Sequence, residues 1–205
     1  KNTYDICLLA EGIPPKENKY AEIRINAVKK LISYVEKISK EMGYNAIISL
    51  KRINESIRSI ENPYEIEKNF YNGIVKNNNY LKIVEKKDLY SGYENSYKSK
   101  LVIGFRSTLL LENLSRNKRI IACSLYSENY TAVPQLNPLF PDYIPISLYN
   151  NSYESFKKKV LYLMNISDED YKNEIKSFKD YMISYDLNKS AIDKINDLIE
   201  QDTNK

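Results

Sequence analysis

Across 205 residues, 31 lysines and arginines stand against 27 aspartates and glutamates, and the resulting +4 is interspersed along the chain. That balance argues against a nucleic-acid binder, while a hydrophobic fraction of 42% suffices for the core of one large domain. Histidine is absent, which removes the usual neutral-pH base and any histidine-ligated metal site, so a base here would have to be a carboxylate, Lys, Tyr or Cys.

The first apolar run, Tyr4-Asp5-Ile6-Cys7-Leu8-Leu9-Ala10, reads as a buried strand that ends at Glu11-Gly12 and a proline-containing loop. From Tyr20 to Met42 the residues Ile25, Val28, Ile32, Val35, Ile38 and Met42 recur at helical spacing, and Gly43 supplies a stop. Ala46 to Leu50 is the next strand, with Lys51 and Arg52 at its carboxyl end. In an open parallel sheet ligands bind outside those ends, so Arg52 is a candidate phosphate contact; a solvated basic pair is the plainer alternative. The spacing predicts a helix over Pro63–Asn72 closed by Gly73, a strand over Leu81–Val84, and a short helix within the tyrosine-rich Tyr90–Ser99 segment. The 19 tyrosines accompany many Lys, Asn and Ile residues and are read as compositional bias.

The stretch from Lys100 to Leu125 reads as strand, turn, helix, strand. Gly104 permits a close backbone approach, and Ser107 or Thr108 can cap a helix whose first amides have no partner inside it. Such amides, with the helix dipole behind them, suit a phosphate; the same residues also cap ordinary helices. Helical spacing sets Thr108 and Glu112 on one face, where a carboxylate one turn beyond a phosphate site can accept ribose hydroxyls. Leu110, Leu111 and Leu114 can face the sheet.

Beyond Ile120–Cys123, a long loop is expected from Ser124 to Phe140, then an edge strand over Ile144–Leu148 that accommodates Pro145. Ser152 is placed to cap a helix reaching Met164. An acidic start at Ser167–Asp170 opens another to about Tyr185, and Asn188 or Ser190 begins a last one through Ile199. Cys7 and Cys123 lie inside apolar runs and are expected as buried thiols. No signal peptide or membrane-length apolar segment is found, so a cytoplasmic location is expected, with peripheral attachment at the inner membrane face as the alternative.

Alternating strands and helices predict a Rossmann-like three-layer α/β domain with a mostly parallel sheet of about six strands, in which 152–205 form a helical extension. The chain begins at Lys1 and enters a strand almost at once, which suggests a fragment of a longer, two-domain protein.

Taken together, Tyr4-Asp5-Ile6-Cys7-Leu8 and the Val102–Ile120 unit (VIGFRSTLLLENLSRNKRI) resemble the carboxyl-terminal, donor-binding half of GT-B-type glycosyltransferases. More narrowly, they are similar to bacterial capsule and lipopolysaccharide biosynthesis proteins. The resemblance implies a nucleotide-sugar donor held as substrate, with no separate cofactor and no metal. It assigns Gly104, Arg106, Ser107, Thr108 and Arg52 to the donor phosphates and Glu112 to the ribose. Glu11, at the end of the first strand, is a candidate donor-sugar contact, with a plain loop carboxylate as the alternative. The related nucleotide-sugar 2-epimerases have two glycines where Ser107 and Thr108 stand, and use His and acidic groups; this chain departs from them there. A glycan or lipid-linked acceptor and an amino-terminal domain carrying the catalytic base are implied partners, and no catalytic residue is assigned within the chain. Two other classes fit the same residues: a non-enzymatic nucleotide or glycan binding module, and half of a CDP-alcohol phosphotransferase.

Overall fold

The computed structural model describes residues 3–14, 18–53, 62–75, 79–125, 139–141 and 144–182. Their strands are β1 (Tyr4–Leu9), β2 (Ala46–Ile53), β3 (Leu81–Lys86), β4 (Ser99–Gly104), β5 (Arg119–Cys123) and β6 (Ser147–Leu148). The helices are α1 (Ala21–Met42), α2 (Pro63–Val75), α3 (Ser91–Tyr97), α4 (Thr108–Ser115), α5 (Tyr153–Asn165) and α6 (Asp168–Met182). The six strands form one parallel sheet in the order β3-β2-β1-β4-β5-β6.

Why these segments pair this way follows from their composition. Leu101, Val102 and Ile103 are each fully buried, as are Ile6 and Cys7, so the central strands have no solvent face and need helices on both sides. α1 and α5 touch each other and, between them, β2 to β6; α3 and α4 touch each other and cover β1, β2, β4 and β5. The chain leaves β1 toward β2 and β3, then returns to start β4 on the other side of β1. That reversal is the switch point at which the first turns of neighbouring connections diverge and leave a crevice.

Of the stripe read from its spacing α1 buries Val28, Ile32, Val35 and Ile38, with Leu31 beside them and Ile25 half-buried, and it ends at Gly43 with φ 69°, where the Gly43 and Tyr44 amides both donate to the Ser39 carbonyl. Met42, counted with that stripe, is 43% exposed because it stands in the last turn, past the sheet. Gly73 lies inside α2 and does not end it, since buried Tyr71 and Val75 carry the apolar face one turn further. α4 is capped by Ser107, whose Oγ accepts the Leu109 amide at 3.3 Å, and closes at Asn117, with φ 56° and the Lys118 amide returning to the Asn113 carbonyl.

At the far edge, β6 is shorter than its apolar run: Pro145 falls before the two residues that pair with β5. α5, expected as part of an extension, is built into the sheet's cover, with Phe156, Val160 and Leu163 fully buried and the Phe156 ring 5.6 Å from that of Tyr34 on α1. Arg119 at the start of β5 ties down α6 through Asp168 at 2.7 Å, and Tyr171 of α6 donates to the Lys118 carbonyl at 2.8 Å. Among the described residues, no helix is long and apolar enough to cross a membrane. The expected Ser124–Phe140 loop for its larger part, and the last helix through Ile199 entirely, lie outside the described residues.

Candidate functional site

β1, β2 and β3 run parallel, so their carboxyl ends emerge on one side of the sheet, beside the start of α4. A cleft of about 190 Å³ opens there, floored by Leu9, Ala10 and Ser49 and walled by Ser107, Thr108 and Glu112. Ser49 is held from beneath by Asn95, whose Nδ2 donates to Ser49 Oγ at 3.0 Å. On the outer side, Leu89, Gly92 and Tyr93 of the β3–α3 connection and α3 make an apolar and aromatic wall.

The turn from Gly104 to Thr108 owes its geometry to packing. A Cβ on Gly104 would stand 3.3 Å from Leu110 Cδ1 and 3.4 Å from Leu9 Cβ, so glycine lets α4 fold tightly back over β1. Within the turn the amides are unequally served. The Arg106 amide donates to Glu11 Oε1 at 3.4 Å, the Leu109 amide to Ser107 Oγ, and the Leu110 amide to the Ser107 carbonyl at 3.0 Å. The amides of Ser107 and Thr108 have no partner among the described residues, and both residues line the cleft. Two adjacent unserved donors at a helix start make a ready seat for an anion.

Glu11 is fixed more firmly than a loop carboxylate. Its amide donates to the hydroxyl of buried Tyr71 at 2.8 Å, and that hydroxyl donates back to the Glu11 carbonyl at 3.0 Å. Burial pushes the Tyr71 phenol far above its ordinary pKa, so it stays a donor. The Glu11 carboxylate also faces Arg24, with Oε2 3.5 Å from Nη2. Glu112, half-buried on α4, faces Tyr93 across the mouth of the cleft. The neighbouring Glu112 carboxylate raises the Tyr93 pKa.

The other two expected phosphate contacts stand differently. Arg52 is within β2 and lines an adjoining depression with Lys51, Lys86 and Tyr64; its Nη2 lies 3.9 Å from where a Gly12 Cβ would be. Arg106 is exposed and contributes its backbone amide to the site, while its side chain is not among the residues that line the cleft. The structure therefore brings together Gly104, Ser107, Thr108, Glu112 and Glu11, and sets Arg52 and the Arg106 side chain outside. Lys51, Lys86, Leu89 and Tyr93 line the cleft without having been singled out from the sequence. Only Lys51 carried a signal, its place at a strand end.

A parallel sheet in the order 3-2-1-4-5-6, with a cleft at its switch point between a glycine turn and a helix start, defines a Rossmann-like α/β protein. Within that class the chain belongs to the family described as "putative O-antigen biosynthesis protein", whose model matches residues 22–201. No curated protein matches it by sequence. Among solved structures it is similar to UDP-GlcNAc 2-epimerase from Methanocaldococcus jannaschii in complex with UDP-GlcNAc and UDP, at 15% identity and a TM-score of 0.50, over 80% of this chain and 39% of that one. A second structure of UDP-GlcNAc 2-epimerase from the same organism matches at 13% identity and a TM-score of 0.51, over 85% of this chain and 45% of that one. At these identities the likeness is one of fold, and the chain spans less than half the length of either epimerase.

Proposed function

We propose that this chain binds the nucleotide-sugar donor of a glycosyltransferase acting in bacterial surface polysaccharide biosynthesis. The observation that carries the reading is the pair of unserved amides at Ser107 and Thr108, opening into a cleft that Glu112 lines one helical turn further along α4. In this reading the donor phosphate sits on those two amides and the Thr108 hydroxyl. The ribose hydroxyls donate to Glu112, on the side of the cleft that faces Tyr93. The base lies against Leu89, Gly92 and Tyr93. Family membership in O-antigen biosynthesis supports a sugar substrate, and a protein of like fold binds UDP-GlcNAc.

Charge that develops on the leaving phosphate is stabilised by the fixed amides and the α4 dipole, which need no rearrangement during reaction. Arg52 and Arg106 lie at the rim and supply cations if their side chains turn inward. Glu11 lies next to the phosphate seat and is the group nearest the sugar that a donor would carry there. Transfer itself needs an acceptor, a glycan or lipid-linked precursor, and a base held against it. Those belong to an amino-terminal domain in this reading, so the chain alone retains donor binding and turns over poorly. Its site of action is then cytoplasmic, where nucleotide sugars are made.

Calorimetric titration of Glu112→Ala tests the assignment. The account expects loss of affinity of about tenfold or more for the nucleotide and less than about twofold for inorganic pyrophosphate or phosphate, because only the nucleotide carries a ribose. Equal weakening of both would remove Glu112 from the ribose.

A further inference from the structure

The phosphate seat already has an anion at one end. Glu11 places a carboxylate on the Arg106 amide, the donor immediately before the two that stand open, and holds it there through Arg24 and the Tyr71 clamp on its backbone. Only 13% of the Glu11 side chain is exposed, so this is a built position and not a side chain sweeping through solvent. The turn thus offers an incoming ligand two amides, with a fixed negative charge beside them.

Sheet order adds direction to this. β1 lies between β2 and β4, so Glu11 at the end of β1 stands between the Ser107–Thr108 seat, which follows β4, and the cations at the ends of β2 and β3, Lys51 and Lys86. A single phosphate on Ser107 and Thr108 needs nothing further along that line. A second phosphate joined to the first has to extend toward Glu11 before it reaches Lys51, or displace the carboxylate from both its partners. Like charges brought together in a half-buried site repel far more than in water.

We propose, resting on the donor-site reading above, that Glu11 is a specificity-determining residue that restricts the seat to one phosphate. The ligand class is then the nucleoside monophosphate and its sugar esters, in preference to nucleoside diphosphates. The same carboxylate sets the site apart from one built to grip a pyrophosphate along its whole length.

Calorimetry in metal-free buffer with CMP, UMP and GMP, each against its own diphosphate, tests this on the chain and on Glu11→Gln. The monophosphate that binds best is expected to bind about tenfold or more tightly than its diphosphate, and Glu11→Gln, which keeps an oxygen for the Arg106 amide, should bring the two within about twofold by tightening the diphosphate. A diphosphate that binds the unaltered chain as well as or better than its monophosphate overturns the proposal while leaving the donor site intact. So does a Glu11→Gln chain that loses affinity for both forms alike. If no nucleotide binds at all, the donor-site reading itself fails and takes this one with it. Should Glu11→Gln not fold, the ratio measured on the unaltered chain decides alone.

Discussion

Gly104 is surrounded by groups that cannot all retreat. Leu110 can shift its side-chain tip, but the Leu9 Cβ at 3.4 Å is fixed to the central strand. Gly104→Val should therefore cost about 1–3 kcal/mol, measured as a lower urea midpoint, through overpacking between β1 and α4. A variant as stable as the parent would mean that the close approach is not required. The same position shows how far single residues were legible. Gly104, Ser107 and Glu112 declare themselves because a glycine, a cap and a helix-spaced carboxylate each have a local physical reason to stand where they do. Tyr71 and Tyr93 do not, since their roles depend on Glu11 and Glu112, which reach them only through the folded chain. Arg52 was expected at the phosphates from its place at a strand's carboxyl end and Arg106 from the resemblance, and a flexible cation at a strand or turn end has no local rule that fixes its direction.

Between elements, the joint of β2 and α2 rests on one buried carboxylate. Glu67, 1% exposed, accepts the Lys51 amide at 3.0 Å and the Arg52 amide at 2.8 Å, and so satisfies the end of β2 from a neighbouring helix. Burial raises its pKa, more than the two amide bonds lower it. The folded chain consequently holds a proton on Glu67 more readily than the unfolded chain does. Its contribution to stability is greatest below the ordinary carboxylate pKa and is lost as pH rises through the raised value. Urea denaturation of the chain and of Glu67→Gln at about pH 4 and about pH 7 should show the parent losing ground to the variant as pH rises. A parent that gains on the variant over that interval would reverse the assigned shift. Elements were the most legible scale: the α1 stripe, the Ser152 cap of α5 and the strands at β1, β4 and β5 follow from periodicity and capping. Gly73 was misread as a stop because a helix interior tolerates glycine when packing on either side holds it.

Over the whole molecule, the order of elements implied the layered sheet, and the parallel arrangement of β1 to β5 follows from the helices α1 to α4 that join them. What no periodicity encodes is convergence. The cleft takes Glu11 from β1's end, Ser49 and Lys51 from β2, Lys86 from β3, Tyr93 from α3 and Thr108 and Glu112 from α4, and their meeting is a property of strand order. The central claim is that a nucleotide's phosphate rests on the Ser107 and Thr108 amides. Amide chemical shifts followed across the whole chain during titration with the best-binding nucleotide test it most directly. The account predicts that Ser107 and Thr108 move most, with Glu112 and Tyr93 next, and that inorganic phosphate at higher concentration moves Ser107 and Thr108 alone. Saturable shifts centred elsewhere, with those two amides unmoved, would contradict it.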